Sequence, residues 1–347
     1  MKGSGEMAVK PMNPIIDQLA RPMRDLRISV TDRCNFRCTY CMPKEFFGDD
    51  YAFMSKDQLL SLEEITRLAE LYASLGIRKI RLTGGEPLLR RGLPELVKML
   101  SSIRGIEDIG CTTNGLLLGQ QAQNLYDAGL RRMNVSLDAL DPDLFGKING
   151  RGITSSTILR NIELADEIGF QVKVNMVVQK GINEQEILPM ADYFKKMGIT
   201  LCFIEFMDAG NSNDWSLERG VTKQDIFERL GGANVLVPVP PRYPGEVAQR
   251  FRYKDGQAEV GFISSVSDAF CSSCTRVRLS SDGKIYNCLF ASKGFDLRAL
   301  LRGGASDEEL LAAIRKTWEQ REDRYSEERT EYTAKNRKKI GMSYIGG

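Results

Sequence analysis

The stretch Leu26-Arg27-Ile28-Ser29-Val30-Thr31-Asp32-Arg33-Cys34-Asn35-Phe36-Arg37-Cys38-Thr39-Tyr40-Cys41 runs from a strand-like alternation straight into a loop of three cysteines. Leu26, Ile28 and Val30 alternate with Arg27, Ser29 and Thr31, the period of two that gives a strand one apolar and one polar face. The pattern returns at 79–83, where Ile80 and Leu82 oppose Lys79, Arg81 and Thr83. At 133–137, Asn134 and Ser136 oppose Met133, Val135 and Leu137, and at 171–178, Lys173 and Asn175 oppose Val172, Val174, Met176 and Val178. Further strands are predicted at 109–113 and 200–207. Helical periodicity occupies 59–75, 93–103, 120–128, 154–168 and 184–197. Six β/α alternations of this kind predict a parallel sheet with helical crossovers, one α/β unit of about 230 residues rather than a repeat array.

The polar faces narrow the fold class further. A closed eight-stranded barrel fills its interior with branched apolar residues, and an open doubly wound sheet buries both faces. A partial barrel, with helices outside and a wide cationic interior, matches the alternation better, because Arg27, Arg81 and Lys173 would then stand beside water or an anionic ligand. The competing reading is a set of edge strands with one wet face.

Composition removes whole classes of chemistry. The 347 residues contain no histidine, which excludes Ser-His-Asp and Cys-His nucleophile pairs, His-ligated zinc and imidazole acid–base catalysis. Lys and Arg number 48 against 46 Asp and Glu, too even a balance for a non-specific nucleic-acid binder. No stretch approaches the roughly 18 apolar residues of a membrane span, and the opening residues lack an apolar secretory core, so a cytoplasmic location without membrane partners is expected. Eight cysteines are too few for a disulfide scaffold of this size and point to metal or redox chemistry. Pro238, Pro240, Pro241 and Pro244 mark a break. The expected domains are therefore an N-terminal extension (1–22), a barrel (23–237) and a C-terminal domain (238–347). Residues 307–333 read as one exposed charged helix, and the closing Gly-Gly as a frayed end. Gly3-x-Gly5-x-x-Ala8 has the letters of a dinucleotide fingerprint but no preceding strand.

Cys34-x3-Cys38-x2-Cys41 lies on a loop at the carboxyl end of a parallel strand, where α/β barrels put their chemistry. Three thiolates can hold a cubane cluster and leave one iron open to a small ligand; structural zinc would need a distant fourth donor. Thr83-Gly84-Gly85-Glu86-Pro87 ends the second strand, its glycines allowing close backbone approach and its carboxylate available to a ligand ammonium. Cys271-x2-Cys274-x13-Cys288 is a second set of three thiolates. Its simplest reading is a second [4Fe-4S] cluster with an open iron, with zinc completed by Cys111 or Cys202 as the alternative. Between these ligands Arg276 and Arg278 share one strand face, and a guanidinium pair suits phosphate in geometry as well as charge.

The cysteine loop with the Gly-Gly-Glu-Pro turn resembles the radical S-adenosylmethionine (SAM) superfamily. Adding Thr112-Thr113-Asn114-Gly115, Ser136-Leu137-Asp138-Ala139, Phe203-Ile204-Glu205-Phe206-Met207, the segment from Phe270 to Lys284 and the Gly-Gly end, the chain from about Pro22 to Gly347 resembles the GTP 3′,8-cyclase family. The resemblance implies an α/β fold, a partial (β/α)6 barrel of the radical SAM kind whose open side is closed by a smaller C-terminal domain. It implies two [4Fe-4S] clusters, on Cys34, Cys38 and Cys41 and on Cys271, Cys274 and Cys288. It places SAM against Tyr40, Gly85, Ser136 and Met207, and GTP against Arg27, Arg81, Thr112, Lys173, Arg276 and Arg278. The implied reaction is abstraction of the ribose 3′ hydrogen of GTP by a 5′-deoxyadenosyl radical, then attack on purine C8 to give 3′,8-cyclo-7,8-dihydro-GTP, the first step of molybdenum cofactor biosynthesis. Implied partners are a reductant, a downstream cyclic pyranopterin monophosphate synthase and a homodimer as candidate assembly. The glycine tail resembles the family's flexible terminus that reaches towards the active site.

One position departs from the family pattern: Cys202 stands immediately before Phe-Ile-Glu where the family usually has arginine, removing a charge near an anionic substrate. Two other functions compete with the cyclase reading. Another radical SAM enzyme with an auxiliary cluster, such as a peptide modifier, would share the first loop but would not need the Arg276/Arg278 pair. A non-catalytic iron–sulfur electron carrier would need neither a polar interior nor an open iron.

Overall fold

Strand β1 (Asp25–Ser29) is the fourth strand in the spatial order of a twelve-stranded sheet. The computed structural model describes residues 15–210, 213–256 and 258–347; the discounted Gly3-x-Gly5-x-x-Ala8 match and most of the expected N-terminal extension lie outside them. From β1 five parallel strands follow in spatial sequence: β2 (Lys79–Thr83), β3 (Asp108–Thr113), β4 (Arg132–Ser136), β5 (Gln171–Val178) and β6 (Thr200–Glu205). Helices α1 (Leu62–Ser74), α2 (Leu93–Ser101), α3 (Leu118–Asp127), α4 (Pro142–Asn149), α5 (Ser155–Ile168) and α6 (Ile187–Met197) form the connections.

The first crossover shows how a helix is fixed against the sheet. In α1, Ser61 and Glu64 form a capping box, which satisfies two otherwise open N–H groups. Ile65, Leu68, Ala69 and Tyr72 then recur at three- and four-residue spacing and are buried against the sheet. The sheet supplies the other half of that core: Leu26, Ile28, Ile80, Leu82, Met133, Val135, Val174 and Met176 are all fully buried or nearly so. Their neighbours Arg27, Arg81, Asn134 and Lys173 point the opposite way, as the period of two requires.

The sheet does not stop at the barrel strands. On one side β6 pairs in parallel with β9 (Glu259–Ile263), which continues through β8 (Gln249–Tyr253) to β7 (Leu236–Val239). On the other, β1 pairs in parallel with β10 (Arg276–Leu279), followed by β11 (Lys284–Tyr286) and β12 (Phe295–Asp296). Residue 238, a domain start on the strength of the prolines, lies inside β7. The Arg276/Arg278 strand thus becomes a wall strand beside Arg27.

The region 307–333 departs from the expectation of one exposed helix. A helix over Asp307–Glu319 buries Leu310, Ile314 and Trp318 along one face, and short helices follow at Tyr325–Glu328 and Glu331–Asn336. Between them the chain turns so that Arg321 points inward to the Cys274 carbonyl (2.8 Å). The frayed end is likewise corrected. Met342–Ile345 forms a helical turn, Ile345 is fully buried, and Gly346 takes φ +78°, open to glycine at little cost, where a Cβ would meet Thr83 at 2.3 Å.

Candidate active site

The cysteine loop has no regular secondary structure, so its shape depends on side-chain anchors. Arg37 supplies most of them, donating to the carbonyls of Phe47 (2.6 Å), Cys34 (2.8 Å) and Phe36 (2.7 Å). Its own N–H donates to Asn149 O at the end of α4 (2.8 Å), which gives that helix a role the periodicity does not reveal. With these contacts Cys34, Cys38 and Cys41 line a single large cavity inside the sheet. Burial pushes all three thiols up, Cys34 to about 11 and Cys41 to about 12. Such thiols ionise only when a cationic partner takes them as thiolates.

The Gly-Gly-Glu-Pro turn abuts this loop. A Cβ on Gly85 would stand 2.3 Å from Arg33 O, so only glycine lets the two loops meet, and Gly85 N donates to Thr31 O (2.8 Å). Glu86 is less available to a ligand than its place in the motif suggests. Its carboxylate accepts from Thr113 Oγ1 (2.6 Å), Asn114 N (2.7 Å) and Leu88 N (3.0 Å), tying the β2 and β3 loops together. Asn114 in turn donates to Asn35 Oδ1 (2.7 Å).

Burial raises Glu86 to about 7 despite those hydrogen bonds. A carboxyl raised above its unfolded value contributes stability that is complete below that ordinary value and is lost as pH rises through about 7. We therefore expect Glu86→Gln to flatten the loss of unfolding free energy between pH 5 and pH 8, a difference of order a few kcal/mol. Denaturant titrations of the metal-free protein at both pH values check this; parallel losses in the two proteins would contradict it.

Across the cavity, Tyr40 donates to Asp138 Oδ2 (2.9 Å), whose other oxygen accepts from Val177 N (2.9 Å). Burial holds Asp138 up at about 6. Ser136 closes β4 beside it, and Met207 Sδ accepts from Ser265 Oγ (3.5 Å). Glu205 carries no expected role, yet it accepts from Lys223 N (2.8 Å), Val266 N (2.9 Å) and Ser267 N (2.9 Å) and so organises the loops around Met207.

The deeper wall is cationic. Arg278, Arg27 and Arg81 occupy one register row of β10, β1 and β2, with Arg276 one step along. Burial, then Arg278, Arg276 and Arg81, drives Arg27 well below its ordinary value. Burial and Arg276 bring Arg278 to about 10. Arg81 Nη1 and Arg276 Nε are buried without a hydrogen-bond partner. Clustered guanidiniums with unmet donors are costly unless an anion completes them. Arg276 is not purely a substrate-facing group, because its Nη2 donates to Cys274 Sγ at 3.2 Å. Burial would raise the Cys274 thiol, but Arg276 and Arg321 more than offset it and bring it down to about 6. Cys288, lacking that help, is pushed up to about 11 by burial.

Fifteen of the sixteen residues expected from sequence line the same cavity, both cysteine sets, Tyr40, Gly85, Ser136, Met207 and Thr112 among them. Lys173 lies instead in an adjoining cavity that shares Arg81 and Asn134 and adds Arg132 and Arg242. Neither Arg132 nor Arg242 lies in a motif, so no local pattern marks them. Gly347 reaches the main cavity, and Arg278 donates to Gly346 O. Among the described residues, no three Cys, Asp or Glu side chains are gathered as a single ion would need.

Cys202 is 2% exposed and does not line the cavity. Its Sγ lies 2.8 Å from where a side chain on Gly261 would begin. It occupies a register row running Ser136, Asn175, Cys202, Gly261 and Arg250. Two strands along this row, buried Arg250 is paired with Glu246 (3.1 Å) and Glu259 (2.8 Å) and lines neither cavity, so it does not replace the charge absent at Cys202.

Comparison with known proteins agrees with this geometry. Residues 28–194 match the Radical SAM superfamily and residues 199–327 match the Molybdenum Cofactor Synthesis C family. The chain is 58% identical over 336 residues to proteins of Staphylococcus epidermidis and Staphylococcus haemolyticus named GTP 3′,8-cyclase, covering 96% of this chain and 99% of theirs. A Staphylococcus aureus protein of the same name is 56% identical over the same span. In fold the chain is similar to Streptococcus suis SuiB, solved bound to S-adenosylmethionine, with a TM-score of 0.59 at 15% identity, covering 84% of this chain and 68% of that one.

Proposed function

The chain belongs to the GTP 3′,8-cyclase family of radical SAM enzymes, and from that membership we propose how its own residues divide the cyclisation of GTP. The observation that carries the assignment is a single cavity lined by both three-cysteine sets together with Arg27, Arg81, Arg276 and Arg278.

Cys34, Cys38 and Cys41 would hold the [4Fe-4S] cluster that, once reduced and bound to SAM, supplies the carbon radical that removes the ribose 3′ hydrogen. Tyr40, held by Asp138, and Ser136, Gly85 and Met207 would fix the SAM end of the cavity. Glu86 and Asn114 keep that end rigid by locking the loops to one another. Cys271, Cys274 and Cys288 would hold a second [4Fe-4S] cluster. The spread of each cysteine set favours a polynuclear group over a single zinc ion, since a cubane separates its ligands. Arg27, Arg81, Arg276 and Arg278, with Thr112 and Lys173, would bind GTP. Their work is to place the ribose between the two ends and to exclude water, which is where most of a protein's contribution to radical chemistry lies.

A segmentation into a barrel over 23–237 and a closing domain over 238–347 remains our functional division, with β10 bridging the two. A low-potential reductant, a downstream cyclic pyranopterin monophosphate synthase and a homodimeric assembly belong to the same proposal. No helix among the described residues is long and apolar enough to cross a membrane, and a GTP-consuming step fits a cytoplasmic location.

The test is an anaerobic incubation of reconstituted protein with SAM and dithionite, with and without GTP, read by mass spectrometry. GTP-dependent release of 5′-deoxyadenosine together with a cyclised nucleotide is the expected result. SAM cleavage without a GTP product would redirect the cavity to another substrate. No cleavage would return the electron-carrier reading.

A further inference from the structure

Asp17, Arg21 and Arg321, none of them part of a sequence motif, form an ionic group with side chains 0%, 1% and 2% exposed. Arg21 Nε lies 2.6 Å and Arg321 Nη1 3.4 Å from Asp17 Oδ2. Asp17 Oδ1 is committed to the N–H groups of Leu19 (3.0 Å) and Arg21 (2.9 Å). The two guanidiniums then reach the same place from opposite sides. Arg21 Nη1 donates to Cys271 O (2.8 Å) and Asp323 O (2.8 Å), and Arg321 Nη1 donates to Cys274 O (2.8 Å). Trp318 supports both, its ring under Arg321 (4.6 Å) and its Nε1 donating to Arg21 O (3.1 Å).

This arrangement exceeds what holding two chain segments together requires. An apolar contact would do that without desolvating three charges, and replacing buried ion groups by apolar ones is often neutral or stabilising. The charge is also unbalanced. Two guanidiniums face one buried carboxylate. Adding Arg276 and the partly exposed Asp323, whose Oδ2 stands 3.7 Å from Arg321 Nε, leaves three against two. Arg21 Nη2 and Arg321 Nε are buried without hydrogen-bond partners. An excess positive charge of this kind favours an anion nearby, and Cys271 and Cys274, whose carbonyls the two guanidiniums hold, would supply it as thiolates beside the Glu327 carboxylate that accepts from Ser272 N (3.1 Å).

Resting on the second-cluster reading above, we propose that Asp17, Arg21 and Arg321 are positioning residues for that cluster, fixing its ligand loop through the Cys271 and Cys274 carbonyls and making the bound cluster easier to reduce. The redox step is the transfer of one electron from an external low-potential reductant to the cluster, with no bond made or broken and no proton moved. The added negative charge is favoured by the excess guanidinium charge, so the protein sets the direction of the effect through electrostatics.

The test uses the full chain with Cys34, Cys38 and Cys41 changed to alanine, so that iron and the optical and EPR signals report the second cysteine set alone. In that background Arg321→Gln should shift the oxidised-to-reduced ratio at a fixed potential at least about tenfold towards oxidised, about 59 mV for one electron. Arg321→Lys should stay within about threefold of the parent. Asp17→Asn keeps an acceptor for both N–H groups while removing the negative charge, and it should shift the ratio the other way. Opposite signs for Arg321→Gln and Asp17→Asn establish the charge effect, because loss of packing alone would not reverse sign. Potentials unchanged in all three would reduce the group to a structural clamp and overturn the inference. If Arg321→Gln does not fold, the sign of the Asp17→Asn shift decides. Absence of iron from the parent itself would remove the second-cluster reading and the inference with it.

Discussion

Replacing Arg27 with methionine should raise the stability of the ligand-free protein and at the same time lower its affinity for GTP. The two effects have one cause. Arg27 stands in a row with Arg278 and Arg81, and burial together with its three arginine neighbours already drives its pKa far down. Removing one of four mutually repelling cations and putting an apolar chain of similar length in its place should stabilise the fold by about 1–4 kcal/mol, the range seen when buried charge is exchanged for packed hydrophobic volume. Losing one buried cation opposite a phosphate-bearing ligand costs roughly 2–5 kcal/mol of binding, a factor of about 30 to about 4,000 in affinity. Denaturant unfolding of the apoprotein and calorimetric titration with GTP read the two halves separately. GTP affinity unchanged in Arg27→Met would remove the arginine row from the substrate site; a large drop in apoprotein stability would mean that the row is structural. A site built at the expense of stability is where a stabilising substitution is expected to cost function.

Much of that row is legible in the amino-acid sequence. Strand alternation alone places Arg27, Arg81 and Lys173 on one face, because a period of two leaves no other arrangement when the opposite face is Leu, Ile and Val. The cysteine loop and the glycine turn are legible for a different reason: they sit at strand ends, and their residue types have few uses there other than metal and ligand binding. Long-range register is what local patterns cannot supply. That β10 pairs in parallel with β1, putting Arg278 directly beside Arg27, depends on a contact between positions about 250 residues apart, and no local pattern encodes it. The same limit hides β7 to β9 on the far edge, and it hides Arg321, which reads as one charge among many on a helical stretch until the chain is seen to turn inward at that point. The α4 helix escapes a periodicity reading because its signals are short. Asp141 at its start accepts from Leu144 N and Gly150 ends it in a left-handed conformation, but eight residues hold too few apolar positions to show a period.

The glycine tail shows how a bland reading fails. Two terminal glycines carry no side chain to bury, so composition alone predicts fraying. In the structure the residues before them do the anchoring: Ile345 is buried, and the Tyr344 hydroxyl donates to Asp282 Oδ2 (2.7 Å). Gly346 then fits against Thr83 because it lacks a Cβ. Its carbonyl accepts from Arg278, one of the guanidiniums assigned to GTP. If Arg278 holds GTP as proposed, tail and substrate would share a donor, and the position of the tail would be part of the site's electrostatics.

That position depends on a second buried ionic group, and disrupting it should produce the largest loss of stability in the C-terminal region. Asp208, directly after Met207, is 1% exposed. It accepts from Arg329 Nε (2.8 Å), Lys339 Nζ (2.8 Å) and the Tyr325 hydroxyl, and burial, which would raise its carboxyl, is outweighed by these partners, Arg329 first. Three contacts from residues 325–339 to one carboxylate make it the main polar anchor of the arm that carries the tail. Asp208→Ala leaves Arg329 buried without its carboxylate, while Lys339 keeps the Ala334 carbonyl (2.8 Å). Breaking a buried pair from one side costs about 3–5 kcal/mol, which lowers Tm by about 4–7 °C in a chain of this size. Cleavage by a protease should move to the arm between Tyr325 and Ile340, and GTP-dependent turnover should fall because Gly347 no longer reaches the cavity wall. Asp208→Asn, which keeps an acceptor and loses only the charge, should lie between the parent and Asp208→Ala in both Tm and protection. An arm as protease-resistant in Asp208→Ala as in the parent would show that apolar contacts of Phe290, Tyr325 and Ile345 hold it without the carboxylate.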